Sequence, residues 1–277
     1  MFGKRHTRTK EIMINKTSIT LLAFMLCGQP VLAQDDAELA KQLANPLAAL
    51  ISVPIQANYD SDYGTDDQGS ILRINVQPVI PISLNDDWNL ISRTILPIID
   101  QNDLPTQGVS EFGLGDILQN VFFSPKAPTS GGWIWGVGPA LLMPTASDEV
   151  LGSEKWAIGP TAVALKQIGP WTVGGLTNHL ESFAGDDDRA DISATFVQPF
   201  AAYVTKNKKT LSVNTESTYD WETRKWSVPI NFSVSSMMQW GGQLAQLTGG
   251  VRYWATSPDA GPDGWGFRLQ LTLLYPK

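Results

Sequence analysis

The sequence predicts an all-β protein: an antiparallel transmembrane β-barrel of about twelve strands with a short N-terminal helical segment. Three observations predict this fold. Apolar and polar residues alternate along successive segments, which is typical of strands with one apolar and one polar face. Longer, acidic connections alternate with shorter ones. The ten tryptophans lie near the ends of the segments and not in their middles.

Residues 1–33 have the features of a secretory signal peptide. A basic leader precedes the apolar run ITLLAFMLCGQPVLA, and Val31 and Ala33 occupy the positions expected just before a cleavage site. The single cysteine, Cys27, lies in this run, so we expect no disulfide in the rest of the chain. The leader holds five of the 20 basic and one of the 27 acidic residues, which leaves a net charge of −11. This charge argues against nucleic acid as a partner.

The segment DDAELAKQLANP, residues 35–46, predicts a helix that ends near Pro46. We assign residues 34–48 to an N-terminal segment and residues 49–277 to the barrel. Three placements of the segment are open: inside the lumen as a plug, in the periplasm, or without fixed structure.

Strands and turns account for the remainder of the chain. In the last strand, Phe267, Leu269 and Leu271 alternate with Arg268 and Gln270, and in a barrel the apolar set faces lipid while the polar set faces the interior. The predicted strands are 49–59, 70–82, 88–99, 113–124, 132–145, 155–167, 170–183, 190–204, 210–221, 225–238, 243–256 and 264–275.

The tryptophans predict two girdles at the membrane interfaces, where amphipathic aromatic rings are enriched. The predicted periplasmic girdle contains Trp88, Trp133, Trp135 and Trp171, with Trp240 at the same end. The predicted outer girdle contains Trp156, Trp221, Trp226, Trp254 and Trp265.

Several segments are similar to a known bacterial family, among them ANPLAALISVPIQANYD, DWNLISRTILPII, GVGPALLMPTASDEVLGSEKWAIGP and LQLTLLYPK. The chain resembles the outer-membrane transporters labelled for the meta-pathway of phenol degradation, over nearly all of residues 44–277. The resemblance implies a monomeric or loosely associated barrel that passes small aromatic or apolar molecules. It also implies that Tyr275 is the effective last strand residue.

Charged residues on the polar faces predict a lumen with two walls of opposite sign. Arginines fall on strands two, three, eleven and twelve, which become neighbours when the sheet closes, and acidic residues fall on strands seven to nine. An alternative is that these charges pair through the lumen and fill it. The predicted lumen-lining residues are Arg73, Arg93, Arg252, Arg268, Glu181, Asp191, Glu216 and His179.

His179 is the only histidine after the leader, and it motivates a rival hypothesis of a lipid-modifying enzyme. Ser182 points to the other face of the strand, and no G-x-S-x-G motif occurs. We therefore predict no catalytic activity, no cofactor and no metal site.

The sequence thus predicts a passive channel in the outer membrane of a Gram-negative bacterium. The expected partners are outer-membrane lipid and lipopolysaccharide, a small-molecule solute and, during biogenesis, the barrel-assembly machinery. A closed structural barrel without conductance is the remaining alternative.

Overall fold

The computed structural model of the protein describes residues 35–275. The predicted signal peptide and residues 276–277 lie outside this range. The described chain contains the helix α1 (Asp35–Leu43), a 3-10 turn (Glu149–Leu151) and fifteen β-segments. These segments are β1 (Ile51–Tyr63), β2 (Gly69–Val76), β3 (Val79–Ser83), β4 (Trp88–Asn102), β5 (Ser110–Leu114), β6 (Ile117–Pro125), β7 (Trp133–Met143), β8 (Lys155–Ile168), β9 (Trp171–Gly185), β10 (Ser193–Val204), β11 (Lys209–Thr215), β12 (Ser217–Asp220), β13 (Lys225–Trp240), β14 (Gln243–Thr256) and β15 (Gly264–Tyr275).

The segments form a closed antiparallel barrel of twelve strands, which confirms the predicted fold. Three of the twelve are interrupted once each, so that β2 continues into β3, β5 into β6, and β11 into β12. Every strand pairs with its neighbour in the chain, and the ladder closes between β1 and β15 from Ile51–Tyr275 to Tyr59–Phe267. Closure pairs both edges of the sheet formed within residues 35–275, as a lipid environment requires.

Burial along β15 shows which face meets which environment. Phe267 and Leu269 are 61% and 58% exposed, whereas Arg268 and Thr272 are 6% and 1% exposed. The apolar residues therefore lie on the outer surface of the barrel and the polar residues inside, as the alternation predicts. Directly paired residues of antiparallel strands share a face, so the register fixes the inward or outward direction of most other side chains.

The two ends of the barrel differ in the length of their connections. At the end where β1 begins, the connections contain two to seven residues, whereas those at the opposite end contain four to eleven. We call these the short-turn end and the long-loop end. No helix within residues 35–275 is both long enough and apolar enough to cross a membrane.

The outward direction of Leu269, near the middle of β15, makes a testable prediction. Leu269→Arg should lower the free energy of unfolding in a lipid bilayer by about 2–4 kcal/mol, because the guanidinium would face hydrocarbon. Gln270→Arg is the matched control, since Gln270 faces the interior. Urea unfolding in lipid vesicles measures both variants, and equal losses would contradict the assigned faces.

Candidate functional site in the barrel interior

The N-terminal segment packs inside the barrel at the short-turn end. Leu47 is 5% exposed and lies in one apolar cluster with inward residues of β4, β6, β8 and β9. The amide Nε2 of Gln167 donates a 2.8 Å hydrogen bond to the carbonyl oxygen of Lys41, the last turn of α1. Inward Gly136 leaves space for this packing, because a Cβ there would lie 3.1 Å from Leu47 Cδ2. The segment therefore occupies the lumen at this end.

The interior has an apolar side and a polar side. The apolar wall is the inward set on β4, β6, β8 and β9, namely Ile91, Phe122, Val163, Leu165 and Leu176. The polar wall is the inward set on β13, β14 and β15, namely Ser233, Ser235, Gln246, Thr248, Gln270 and Thr272. Leu47 packs on the apolar wall, and of this wall only Leu176 lines a cavity.

A cavity of about 280 Å³ lies between the N-terminal segment and the polar wall. We call it the helix-side cavity. Its lining includes Ala44, Asn45 and Pro46 of the segment, and also Arg93 and Glu216. The segment thus forms part of the cavity wall as well as filling the lumen.

Arg268 and Glu216 form an ion pair across the interior. The guanidinium Nη1 and Nη2 of Arg268 lie 2.9 and 2.7 Å from Glu216 Oε1 and Oε2, a bidentate arrangement. Arg268 Nε also donates to Asn58 Oδ1 at 2.7 Å. Both carboxylate oxygens and three guanidinium nitrogens are therefore partnered, so pairing through the lumen occurs for Glu216.

Arg252 belongs to a second polar group nearer the long-loop end. Its Nε lies 3.3 Å from Asp60 Oδ1, and both side chains are less than one-tenth exposed. The indole Nε1 of Trp254 donates to the same carboxylate oxygen at 2.9 Å, and the guanidinium carbon of Arg252 lies 5.2 Å from the Trp254 ring. The cation is thus held by a carboxylate and an aromatic face together.

Arg93 and Arg73 differ from these two arginines because they have no acidic partner. Within residues 35–275, no carboxylate oxygen lies within 4.0 Å of either guanidinium. Arg93 Nη2 donates to the neutral amide oxygen of Gln77 at 2.8 Å. Arg73 pairs with inward Asn58 in the β1–β2 ladder and therefore faces inward as well.

A second cavity of about 220 Å³ lies on the long-loop side of Arg93. We call it the loop-side cavity. Apolar side chains dominate its lining, among them Ile95, Leu118, Leu180 and Phe196. Arg93 and Leu176 line both cavities and so separate them.

His179 and Glu181 do not line the lumen, contrary to the prediction. Asn178 and Leu180, the neighbours of His179 in β9, line the loop-side cavity, so His179 and Glu181 point to the outer surface. There His179 Nδ1 lies 2.9 Å from Thr195 Oγ1, and Nε2 lies 3.2 Å from Glu181 Oε2. The sequence assigned the wrong face because β9 carries apolar and polar residues on both sides.

Asp191 lies at the long-loop mouth of the barrel and not in a strand, and its partners Lys155 and Ser182 are on the inward faces of β8 and β9. It belongs to the loop between β9 and β10, where its 70%-exposed side chain accepts a 3.0 Å hydrogen bond from Lys155 Nζ. This hydrogen bond, with a second from Ser182 Oγ and the charge of the ammonium group, holds the pKa of Asp191 below its ordinary value. Of the predicted acidic wall, Glu216 therefore lies inside the barrel and Asp191 lies at its mouth.

The tryptophans occupy strand ends, with one correction. Trp254 shares the face of Arg252 and bonds inward to Asp60, so it is not part of an outward girdle. Trp221 lies just beyond β12 and donates from Nε1 to Thr195 Oγ1 at 2.9 Å. The other members of the predicted girdles face outward: Trp88, Trp133, Trp135, Trp156, Trp171, Trp226 and Trp265.

Sequence reasoning missed Asn58, Asp60 and Gln77, which bind the arginines. The alternation of Gln56, Asn58 and Asp60 along β1 was the available signal for the first two. Gln77 lies at the break between β2 and β3, where the alternation gives no direction. Within residues 35–275, no group of three or more His, Cys, Asp or Glu side chains is arranged to hold a metal ion.

Comparisons with known proteins agree with the fold. No protein-family model and no curated protein matches the chain. An outer-membrane channel from Pseudomonas putida F1 is similar in structure, with a TM-score of 0.64 and 13% identity over 82% of this chain and 96% of that one. Outer membrane phospholipase A from Escherichia coli has a TM-score of 0.46 and 11% identity, over 82% of this chain and 96% of that one. The Salmonella typhi outer membrane phospholipase has a TM-score of 0.47 and 13% identity, over 86% of this chain and 96% of that one. The first likeness shows the fold of an outer-membrane β-barrel.

The Arg268–Glu216 pair makes a prediction about stability. Glu216→Gln should lower the free energy of unfolding by about 3 kcal/mol, because it leaves the 5%-exposed Arg268 side chain without its counter-charge. The double variant Glu216→Gln, Arg268→Gln should lose less than the sum of the single variants. Urea unfolding of all four proteins measures the coupling, and strict additivity would contradict a direct interaction.

The Asp191–Lys155 bond predicts a pH dependence. Because the folded-state pKa of Asp191 is depressed, its stabilising contribution is present above the unfolded-state pKa of about 3.9 and is lost as pH falls through the folded-state value. Asp191→Asn should therefore destabilise the protein at about pH 7 and make little difference near pH 2. Unfolding midpoints of both proteins across this range test the expectation, and a pH-independent difference would contradict it.

Proposed function

We propose that the protein is a passive outer-membrane channel for small, apolar or aromatic solutes. The observation that carries the proposal is the space left in the lumen: a cavity of about 280 Å³ along the polar wall and a cavity of about 220 Å³ with a mostly apolar lining. A barrel interior that served only to be filled would not need such space. The resemblance to outer-membrane transporters of aromatic degradation agrees with this solute class.

In this proposal the short-turn end faces the periplasm and the long-loop end faces the outside of a Gram-negative cell. The outward tryptophans then lie at the two lipid interfaces, where rings with one apolar and one polar edge are favoured. Acidic residues in the long loops, including Asp186, Asp187 and Asp188, would meet lipopolysaccharide through divalent ions.

The N-terminal segment acts as a plug that restricts the lumen from the periplasmic side. A variant lacking residues 36–47 should therefore conduct ions several-fold better than the intact mature chain. Full-length Leu47→Gln should show an intermediate conductance, because it weakens the packing of the segment on the apolar wall without shortening the chain. Single-channel recording in planar bilayers measures all three, and identical conductances would contradict a plug in this position.

The charge of the lumen predicts its ion selectivity. The intact protein should favour anions, since only Arg252 and Arg268 of the four inward arginines have a carboxylate within 4.0 Å. Arg93→Glu, Arg252→Glu should shift the reversal potential towards cation selectivity. Lys206→Glu, Lys209→Glu is the matched control, because it changes the charge equally and both lysines are exposed at the β10–β11 turn. The absence of any conductance, with or without the plug, would overturn the open-channel proposal.

A lipid-modifying enzyme is a second candidate, and one observation favours it. Thr195, His179 and Glu181 form a hydroxyl–imidazole–carboxylate chain on the outward surface, next to the rings of Trp221 and Tyr219. Labelled phospholipid incubated with the protein tests this candidate. Turnover that is lost in His179→Ala and kept in Ser182→Ala would assign a hydrolase. The absence of turnover would contradict the enzyme and favour the channel.

A further inference from the structure

We propose that the loop-side cavity binds a small aromatic or branched aliphatic carboxylate, with its carboxylate on Arg93 and its apolar part in the cavity. This inference rests on the proposed function and narrows its solute class from apolar molecules in general to apolar monoanions. It depends on three features of the cavity: its unpaired charge, its apolar lining and its size.

The first feature is the guanidinium of Arg93. A cation inside a barrel is stabilised when an anion lies beside it, and Arg268 and Arg252 have Glu216 and Asp60 for this purpose. Arg93 has only the neutral oxygen of Gln77, on one of its nitrogens. The guanidinium fork therefore retains donors for a carboxylate, which it binds through two parallel hydrogen bonds.

Arg93 lines both cavities, so part of its side chain borders the loop-side cavity, as does its neighbour Ile95 on the same face. Its Nη2 is bonded to Gln77, which lines the helix-side cavity, so a carboxylate in the loop-side cavity would bind the remaining donors. Glu216 attracts Arg93 electrostatically, but both of its oxygens are bonded to Arg268, so it makes no direct ion pair with Arg93. An anion in the loop-side cavity would give Arg93 a direct partner.

The second feature is the apolar lining opposite the charge. Leu118, Leu176, Leu180 and Phe196 face the cavity, and Phe196 adds an aromatic surface. Such a lining favours a ring or a branched alkyl group over a second charge, because removing apolar area from water is favourable and removing a charge is costly. A sugar or a dicarboxylate would leave polar groups unpaired there.

Two asparagines add polar partners at the edge of this lining. Asn120 lies directly opposite Arg93 in the β4–β6 ladder, and within residues 35–275 its buried Oδ1 has no hydrogen-bond partner. Asn178 also lines the cavity, from β9. Since buried polar atoms are normally paired, the orphan oxygen of Asn120 indicates a water that donates to it, because a carboxylate has no donor to offer. A side-chain amide beside a guanidinium can also donate to the bound carboxylate.

The third feature is size. A volume of about 220 Å³ is below the range of roughly 300–1,000 Å³ that is usual for drug-sized ligands. It suits a solute of one ring, or of a comparable branched chain, with a single carboxylate.

The test is ligand-observed ¹⁹F NMR of the intact mature protein in lipid nanodiscs, with empty nanodiscs as the blank. The probes are 4-fluorobenzoate and its neutral counterpart 4-fluorobenzamide, which has nearly the same shape. We expect saturable binding of the benzoate, tighter than that of the amide, and at least about tenfold weaker binding of the benzoate to Arg93→Gln. Lys206→Gln, which also removes one positive charge, should bind as the unaltered protein does.

A second variant tests the cavity while retaining the charge. Ala194 lines the loop-side cavity, so Ala194→Phe should fill it and reduce the binding of both probes. Retention of the heat-modifiable electrophoretic shift typical of folded barrels shows that each variant has folded. Equal affinity for both probes, or benzoate binding unchanged by Arg93→Gln or by Ala194→Phe, would overturn the proposed site.

Failure of this inference is distinguishable from failure of the proposed function. Liposome swelling with neutral aromatic solutes measures passage without reference to Arg93. Swelling without a preference for benzoate in the NMR experiment would support the channel and contradict the carboxylate site. Benzoate binding that depends on Arg93, without any swelling, would support the carboxylate site and contradict the channel.

Discussion

Closure of the hydrogen-bond ladder between β1 and β15 is the constraint on which the rest of the structure depends. In a hydrocarbon environment an open edge would leave a row of backbone donors and acceptors without partners, each at a cost of several kcal/mol. Closure satisfies the edges and, in doing so, separates the side chains into an outer and an inner set. The outer set meets lipid, so it is apolar for most of the height of the barrel, and the inner set is free to carry charge.

The charged interior is tolerable because most of its groups are partnered. Arg268 with Glu216 and Arg252 with Asp60 link strands that are far apart in the chain, and neutral amides such as Asn58 complete their hydrogen bonding. Removing one member of a buried pair lowers the stability because it leaves the other buried without a counter-charge. Arg93 departs from this rule, and it does so at the point where two cavities meet. Departures of this kind are where a site for a ligand is to be sought.

The N-terminal segment uses the same division of the interior. Leu47 packs against the apolar wall. The polar wall on the other side, formed by polar side chains of β13 to β15, lines the helix-side cavity. The segment is therefore held by one side of the lumen only. The segment is not part of the strand ladder, so the hydrogen bonds that close the barrel do not depend on it.

The sequence by itself determined the fold class, the number of strands and which face of β15 points outward. These features follow from a period of two residues and from the spacing of turns, which are local properties. It also placed Arg93, Arg252 and Arg268 inside, since their strands alternate cleanly. It could not place His179, Glu181 or Trp254, because β9 is mixed on both faces and the end of β14 follows an irregular pairing with β13. Which charges pair, which arginines have no carboxylate partner, and where the helix lies depend on contacts between strands distant in the chain. Only the closed tertiary structure brings those strands together, so only it decided them.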